Sequence, residues 1–441
     1  MGTLHTPIDR VTAEDAVSLA TDVGAAPMQV GALLLLGRSD RFDPERAVEE
    51  LGRRVEGVPR LRQHLVRTPP GCGRPVWVDD VGFDVRRHVS VRAAPPPADE
   101  ATLLAAAATV VTTRLPDDRP LWRAVVLTGL PDGGAAVVLA FHHVLADGIG
   151  GLAVLAALVD GDQLAGPVPG FPRSRPSDRE LLVDATRSRL RAIEGAPASL
   201  RRLTTAMGRL RGTGARAARC SLNRPTGADR RLAVVRVELD AVVRAAHSHG
   251  ATVNDVVVAA VAAALHRTLV RRGERVERFV ISMPVSARRG TTAARLGNEV
   301  SAVPVEVPGT GPADRRLAEV AAATREARLG ATDDSAALLG PAFRALSRLG
   351  LFRWAIDHQH LVHTFVTNLR GPAEVLDLLG APIRDVSAIA VVTGNVTASF
   401  AVLSYAGVLG ITIIADPGTC PDLDGLRDAL QQELDELTAG P

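Results

Sequence analysis

Apolar residues recur along the chain in two patterns, one typical of β-strands and the other of amphipathic helices. Residues 135–141 form an uninterrupted apolar run and residues 28–36 form a second, so both are predicted to be buried strands. Residues 232–239 alternate between apolar and polar side chains, as in a half-buried strand. Apolar residues at helical spacing predict helices at residues 46–55 and 422–437. Strands and helices alternate in this way along most of the chain.

This mixture of elements predicts an α/β (α+β) fold that is divided into two halves. A chain of 441 residues is too long for one typical hydrophobic core. We predict an N-terminal half over residues 1–160, a basic helical connection over residues 161–229 and a C-terminal half over residues 230–441. Within the second half, residues 391–396 and 400–405 are predicted to pair as strands through a short turn.

The connection has an unusual charge pattern. Residues 173–219 hold many arginines and few acidic residues. Leu200, Leu203, Met207 and Leu210 fall on one stripe at helical spacing, with arginines around it. A basic amphipathic helix of this kind can lie on an anionic membrane or on a lipid droplet. The alternative is a helix that bridges the two halves with its arginines in solvent, and both interpretations remain open.

Charge and cysteine content narrow the class of protein. The formal net charge is only +2, so no nucleic-acid partner is expected. Cys72, Cys220 and Cys420 are isolated, without metal-ligand spacing or a disulfide pattern, which fits a reducing cytoplasm. Neither a signal peptide nor an apolar run of about 18 residues is apparent. We therefore expect a cytoplasmic protein that meets lipid only from the surface, at the inner face of the membrane.

The candidate chemistry follows the strand at residues 135–141, where the chain reads Phe-His-His-Val-Leu-Ala-Asp-Gly. His142 and His143 stand at the strand end, and Asp147 and Gly148 follow in a loop. A neutral imidazole can accept a proton near neutral pH, and a carboxylate can fix its tautomer or shape the loop. Because adjacent residues of a strand point to opposite sides, one histidine is expected to face a cleft while the other packs inward.

The same residues also fit a metal site, a dinucleotide-binding turn or two core histidines, each less well. His143 and Asp147 have the spacing of two metal ligands on a helix, but no third ligand is close in sequence. Residues 148–153 fit the glycine pattern of a dinucleotide-binding turn, yet they do not follow the strand directly. Each histidine alone would be typical of a satisfied core position. The chain has no G-x-S-x-G nucleophile elbow, and no cysteine has a histidine in the setting expected of a nucleophile.

The string His142-His143-x-x-x-Asp147-Gly148 resembles the HHxxxDG motif of the CoA-dependent acyltransferase superfamily. That group includes chloramphenicol acetyltransferase, carnitine acyltransferases, plant acyltransferases and condensation domains of peptide synthetases. Further motifs resemble the bacterial wax ester synthase/diacylglycerol acyltransferase family in particular. These are Pro120-Leu121-Trp122, Asn254-Asp255, Gly297-Asn298 and the turn from Asn368 to Pro372. The chain departs from the family at Gln29, where histidine is usual.

The resemblance implies a fold and a set of site residues. It implies two pseudo-symmetric, chloramphenicol-acetyltransferase-like halves with mixed sheets and a central channel, with His143 at the middle. His143 would be the general base, His142 structural, and Arg288, or its neighbour Arg289, the ion-pair partner of Asp147. Supporting roles would fall to Asn254, Asp255 and Asn298, and substrate contacts to Pro120, Leu121, Trp122, Gly150 and Asn368. Asn254, Asn298 and the backbone N–H groups near Gly150 are candidate oxyanion donors.

The function implied is transfer of a fatty acyl group from acyl-CoA to a long-chain alcohol or diacylglycerol, giving a wax ester or triacylglycerol. Acyl-CoA would be a co-substrate, with an acyl carrier protein as the alternative donor, and neither a metal nor a permanently bound cofactor is expected. One alternative is an acyltransferase of the same fold that acts on a specialised metabolite or on a carrier-bound acyl group. Another is an acyl- or lipid-binding protein without turnover.

Overall fold

The computed structural model describes residues 8–145, 148–161, 170–194, 216–286, 300–330, 346–347 and 349–439. The strands are β1 (Gln29–Leu36), β2 (Gln63–Val66), β3 (Val76–Asp79), β4 (Val89–Ala93), β5 (Trp122–Thr128), β6 (Ala135–His142), β7 (Arg231–Glu238), β8 (Arg278–Ser286), β9 (Val300–Pro308), β10 (Thr364–Arg370), β11 (Asp377–Leu378), β12 (Ala381–Ile389), β13 (Ala398–Tyr405) and β14 (Val408–Ala415). The labelled helices are α1 (Ala13–Thr21), α2 (Ala47–Val55), α3 (Glu100–Thr112), α4 (Gly148–Leu158), α5 (Asp178–Glu194), α6 (Leu239–Ser248), α7 (Val253–Arg271), α8 (Ala313–Gly330), α9 (Phe352–Asp357) and α10 (Leu423–Thr438).

Two six-stranded mixed sheets organise the molecule, which confirms the predicted α/β fold. The first sheet has the strand order β11-β12-β1-β6-β5-β4, and the second has the order β7-β14-β13-β10-β8-β9. β2 and β3 form a separate hairpin. Parallel pairs, such as β4 with β5 and β10 with β13, stand beside antiparallel pairs in both sheets.

β6 shows why an uninterrupted apolar run forms a strand here. Its residues are buried along the whole length of the strand. Val137, Leu139 and Phe141 pack into the core on the side of α4, whereas Val138 and Ala140 pack on the side of α3. A strand covered on both faces needs apolar side chains at every position rather than at every second one.

The helix starts follow local capping rules. The Thr12 hydroxyl accepts a hydrogen bond from the Asp15 N–H at 3.0 Å and caps α1. At α7, Thr252 is the N-cap and forms a capping box with Asp255.

α7 is also long and apolar enough to cross a membrane by length and composition, but 72% of that stretch is buried inside the protein. Its apolar surface is therefore explained by the core of the second sheet.

The predicted pairing of residues 391–396 with 400–405 is wrong. β13 pairs instead with β14, and residues 391–396 form a loop. A Cβ atom at Gly394, whose φ is +63°, would lie 2.6 Å from the Ile356 carbonyl oxygen, so the chain turns there rather than extending. The Asn395 side chain holds the turn through hydrogen bonds with Gln359.

A strand that the sequence pattern did not predict, β12, joins the C-terminal part of the chain to the first sheet. β12 runs antiparallel to β1, with Gly31 opposite Ile389 and a register irregularity between Leu35 and Leu36. At the same junction, Arg236 of β7 donates a hydrogen bond to Asp385 of β12 at 2.8 Å. Backbone hydrogen bonds therefore join the C-terminal part of the chain to the first sheet, and the Arg236–Asp385 hydrogen bond links the two sheets. The division at residues 160 and 230 stays a prediction.

Residues 170–194 of the connection pack on the N-terminal half. The Arg173 guanidinium donates to both carboxylate oxygens of Asp79 in β3, at 2.9 and 3.0 Å. Farther along, Arg10 pairs with Asp184 of α5 at 2.5 Å. The predicted amphipathic stripe from Leu200 to Leu210 lies outside the described residues.

Candidate active site

A cavity of about 310 Å³ lies where the two sheets meet. Its walls come from α4, from β1, β6 and β12 of the first sheet and from β8, β10 and β13 of the second. The lining is apolar except for the side chains of His143, Ser282, Thr367 and Thr393. A mostly apolar cavity with a few convergent polar groups is typical of a small-molecule site.

The two motif histidines point to opposite sides of the first sheet. The backbone N–H of His143 donates to the Met28 carbonyl at 2.8 Å. His143 and Met28 both line the cavity. His142 is buried, and its backbone N–H donates to the Leu121 carbonyl at 3.0 Å. The structure thus sets one imidazole against the cavity and the other against the interior.

The interior histidine has a defined tautomer. Nδ1 of His142 accepts the backbone N–H of Val144 at 3.0 Å, so the proton of the neutral ring is on Nε2. That nitrogen lies 3.4 Å from a carboxylate oxygen of Asp22. A ring held at both nitrogens cannot rotate, and its fixed orientation also fixes the backbone that leads into His143.

Asp22 is a site residue that the sequence analysis did not find. Its carboxylate accepts the backbone N–H of Met28 at 3.0 Å and a guanidinium N–H of Arg114 at 2.5 Å. Burial raises the pKa of Asp22, but the hydrogen bonds from His142, Arg114 and Met28 outweigh burial and lower the pKa to about 2. The only sequence signal was an acidic residue just after α1.

Gln29, where the resemblance leads one to expect histidine, is buried and fully hydrogen-bonded. Its amide nitrogen donates to the carbonyls of Val111 at 2.6 Å and Thr113 at 3.0 Å, and its amide oxygen accepts the Leu115 N–H at 2.8 Å. Gln29 stands opposite His142 in the β1–β6 ladder. Glutamine therefore ties the end of α3 to the strand end that carries the motif.

Part of the predicted catalytic set lies beyond the described residues. Asp147, Arg288 and Asn298 are among the positions without a described structure, so the Arg288–Asp147 ion pair stays a prediction. Gly148 is the first residue of α4, and Gly150 is buried in its first turn. α4 also contributes Gly151 to the cavity wall.

Asn254 and Asn368, predicted from separate motifs, are brought together. The Asn368 amide nitrogen lies 3.5 Å from the Asn254 amide oxygen, and the Asn254 amide nitrogen lies 3.2 Å from the Met283 sulfur. The residues of β10 that line the cavity are Phe365, Thr367 and Leu369. Because side chains alternate along a strand, Asn368 faces away from this cavity, and Asn254 lies beside it.

Asp255 serves the start of α7. One carboxylate oxygen accepts the Thr252 backbone N–H at 2.8 Å, and the other accepts the Thr324 hydroxyl at 2.6 Å. Asp255 is 3% exposed. Its contacts thus join α7 to α8 and account for the second residue of the Asn-Asp pair.

The Pro120-Leu121-Trp122 motif lies next to the histidines without lining the cavity. The Trp122 indole donates to the Leu61 carbonyl at 2.7 Å and stacks on His88, with 4.7 Å between ring centroids. Leu121 supplies the carbonyl that holds His142. The substrate contact expected of Trp122 stays a prediction, and the contacts that the structure does give the motif position the strand end.

Burial raises the pKa of Cys220 and of Cys420 to about 11, so both thiols stay protonated at neutral pH. A protonated, buried thiol is a poor nucleophile. Within the described ranges, no group of three or more His, Cys, Asp or Glu side chains could hold a metal ion.

Fold and cavity together define the class: two joined mixed sheets that set a strand-end histidine against an apolar pocket, as in acyltransferases with the condensation-domain fold. Residues 11–257 match the model of the wax ester synthase/diacylglycerol acyltransferase catalytic domain, and residues 296–438 match the C-terminal domain of the same group. The chain belongs to the wax ester synthase/diacylglycerol acyltransferase family, which confirms the family predicted from the motifs.

The names of individual similar proteins agree with this family. A Mycobacterium tuberculosis protein with the provisional name diacylglycerol O-acyltransferase is 29% identical, and the match covers 98% of this chain and 90% of the relative. Among solved structures, the wax ester synthase/diacylglycerol acyltransferase of Marinobacter aquaeolei has a TM-score of 0.72 at 22% identity and 98% coverage of both chains. The first condensation domain of the calcium-dependent antibiotic synthetase has a TM-score of 0.65 at 20% identity, covering 100% of this chain and 98% of that one. At these identities the two structures show a shared fold.

Proposed function

We propose that this acyltransferase moves a fatty acyl group from acyl-CoA to a long-chain alcohol or diacylglycerol and produces a wax ester or triacylglycerol. The observation that carries the proposal is His143, a strand-end imidazole on the wall of an otherwise mostly apolar cavity. Such a cavity favours an alkyl chain over water, and among the described residues on its wall the imidazole is the only group that can take up a proton near neutral pH. Acyl-CoA is a co-substrate in this proposal, with no permanently bound cofactor.

The chemistry assigned to the site is direct transfer. His143 removes the proton from the acceptor hydroxyl, and the oxygen attacks the thioester carbonyl carbon to form a tetrahedral intermediate. When that intermediate collapses, the C–S bond breaks, the ester forms, and the thiolate takes the proton from the imidazolium. No acyl-enzyme is formed, which fits the protonated state of the buried cysteines.

The other predicted residues keep supporting roles in the proposal. His142 positions the strand end, and Asp147, paired with Arg288, shapes the loop before Gly148. Asn298 and the N–H of Gly150 remain the proposed oxyanion donors, because Asn254 lies beside Asn368, on the far side of β10 from the cavity. A positioned donor of this kind is commonly worth about 10²–10³-fold in rate.

The test is release of free CoA from a series of acyl-CoA donors, with and without hexadecanol or dioleoylglycerol. We expect release that depends on the acceptor, together with ester formation seen by chromatography. An acyl carrier protein loaded with the same chains distinguishes a carrier-bound donor from CoA. If no lipid acceptor stimulates release, the neutral-lipid assignment is wrong. Chain binding without any turnover would identify an acyl-binding protein instead.

Peripheral contact with the inner face of a membrane, or with a lipid droplet, is part of the proposal and is supported by α5. Leu182, Val183 and Leu190 are exposed on this helix, with exposed Arg179 and Arg187 beside them. An apolar stripe flanked by arginines suits an anionic lipid surface.

Co-sedimentation with phosphatidylglycerol vesicles tests this contact. We expect the double variant Leu182→Gln/Leu190→Gln to sediment less than the wild type, whereas Val81→Gln, an equally conservative change at another exposed position, should have no effect. Equal sedimentation of both variants would exclude α5 as the lipid contact.

A further inference from the structure

Gly151 stands in a place where helix stability alone favours alanine. It lies inside α4, after the first turn, and glycine in a helix interior is less favourable than alanine because its backbone loses more freedom on folding. Gly151 is therefore expected to meet a spatial requirement. The cavity wall, to which it contributes, shows what that requirement is.

The group that leaves no room for a side chain at position 151 is the ring of Phe141. A Cβ atom at position 151 would lie 2.8 Å from Cζ of Phe141 and within 3.7 Å of two further ring carbons. The Phe141 ring also lines the cavity and is 9% exposed. The absence of a side chain at Gly151 thus lets the tip of the ring approach α4 and leaves open the space that the ring would otherwise occupy.

The wall of the same cavity also holds three leucines. Leu155 lies one helical turn beyond Gly151, and Leu369 pairs with Leu403 across β10 and β13. All three leucines line the cavity, and Leu155 and Leu403 also belong to the surrounding core. His143 and Phe141 come from the end of β6, so the ring shares the cavity wall with the imidazole and with these leucines.

We propose that Phe141, seated against Gly151, is the constriction that determines how long an alkyl chain the cavity accepts. The proposal rests on the acyl-transfer function proposed above and assigns a specificity-determining contact to it. The chain concerned is an unbranched alkyl chain, which can come from the acyl donor or from the acceptor alcohol.

The direction of the effect follows from the neighbours of the ring. On one side, Phe141 pairs with Trp122, which is buried and hydrogen-bonded to Leu61. On the other side it pairs with Val30, which lines the cavity. A methyl group at position 151 is therefore expected to push the ring into the cavity and to narrow it.

Gly151→Ala is thus expected to reject long chains while it still accepts short ones. One methylene in an apolar pocket changes kcat/KM by about 10–200-fold, so we expect at least about a tenfold loss for the longest chains that the wild type uses. Phe141→Ala is expected to have the opposite effect and shift the preference towards longer or bulkier chains.

A double variant shows whether the two residues act through their contact. Because Phe141→Ala removes the ring atoms that the new methyl group would meet, Gly151→Ala should have no further effect in that background. Gly425→Ala is the matched control: it is a helical glycine in α10 whose nearest atom is the end of the Arg271 side chain. The control should leave the chain-length profile unchanged.

The experiment has two readouts, so that failure of this proposal and failure of the proposed function can be told apart. The first is kcat/KM over a series of acyl-CoA donors with one alcohol, and over alcohols from octanol to octadecanol with one donor. The second is displacement of the fluorescent fatty acid cis-parinarate by the same alcohols, which needs no turnover. A shift of the chain limit in at least one series, lost in the Phe141→Ala background, supports the constriction and identifies its chain. An unchanged limit in Gly151→Ala, or the same shift with and without the ring, overturns it, whether or not the protein turns over.

Discussion

Replacing His143 with alanine is expected to lower kcat/KM for acyl transfer by about 10²–10⁴-fold, the usual contribution of a positioned general base. The acceptor hydroxyl would then have to lose its proton without help as it attacks the thioester. Substrate binding should change little, because the remaining cavity wall is unchanged and apolar. The measurement is CoA release under the conditions that give acceptor-dependent turnover with the wild type.

Two comparisons make the His143 result interpretable. His247→Ala removes an exposed histidine at the end of α6 and should leave the rate unaltered. Thermal unfolding of the His143 variant should stay close to that of the wild type, which separates loss of the base from loss of the fold. Full activity in a folded His143→Ala protein would rule out His143 as the base.

Asp22→Asn is expected to lower both stability and activity. Since the pKa of Asp22 is about 2 in the folded protein and about 3.9 in an unfolded chain, the charged carboxylate contributes about 2 kcal/mol to the free energy of unfolding. The variant also loses the acceptor that holds His142 and Arg114. A shift of the strand end around His143 is expected to reduce kcat by about 10–10²-fold, the range typical of a misplaced reacting group.

The stability difference between the wild type and Asp22→Asn is expected to change with pH in a defined direction. A carboxyl group whose pKa falls on folding stabilises the protein fully above its unfolded pKa, and the contribution is lost as the pH falls through the folded pKa. The stability difference between wild type and Asp22→Asn should therefore be full at pH 7 and should shrink between pH about 4 and about 2. Urea unfolding at several pH values measures it.

Asp118→Asn is the matched control for Asp22. Asp118 also pairs with arginines, but it is 57% exposed, so its loss should leave the unfolding free energy close to that of the wild type. A difference for Asp22→Asn that stayed constant with pH would show that the amide disturbs packing rather than charge.

The features that could be predicted from the sequence are those with a local pattern. β6 and its two histidines were predicted because an uninterrupted apolar run and the motif after it are both contiguous. β12 was not predicted, because Pro382, Arg384 and Asp385 interrupt its apolar pattern. Its place in the first sheet depends on pairing with β1, more than 340 residues earlier, and no local pattern can report such a partner.

The residues of the site also divide into those with a local sequence signal and those that depend on long-range contacts. His143 could be found from its neighbours in sequence, whereas Asp22 reaches His142 across 120 positions and Arg114 across 92. Trp122 was expected to touch substrate because it belongs to a motif of the family, yet its ring packs on His88. Motif membership marked residues that matter to the site but not which of them face the cavity.

The hydrogen-bonded ladder between β1 and β12 limits how this protein can be divided or opened. A fragment that ended before β12 would leave the outer edge of β1 unpaired, and exposed strand edges of that kind favour aggregation. Co-expressed halves cut at the connection are therefore poor candidates for functional complementation. Nor can the cavity admit substrate by separation of the N-terminal strands from the C-terminal part of the chain, since that motion would break the ladder from Gly31 to Leu36. Access has to come from smaller movements, of α4 or of the loops around the pocket.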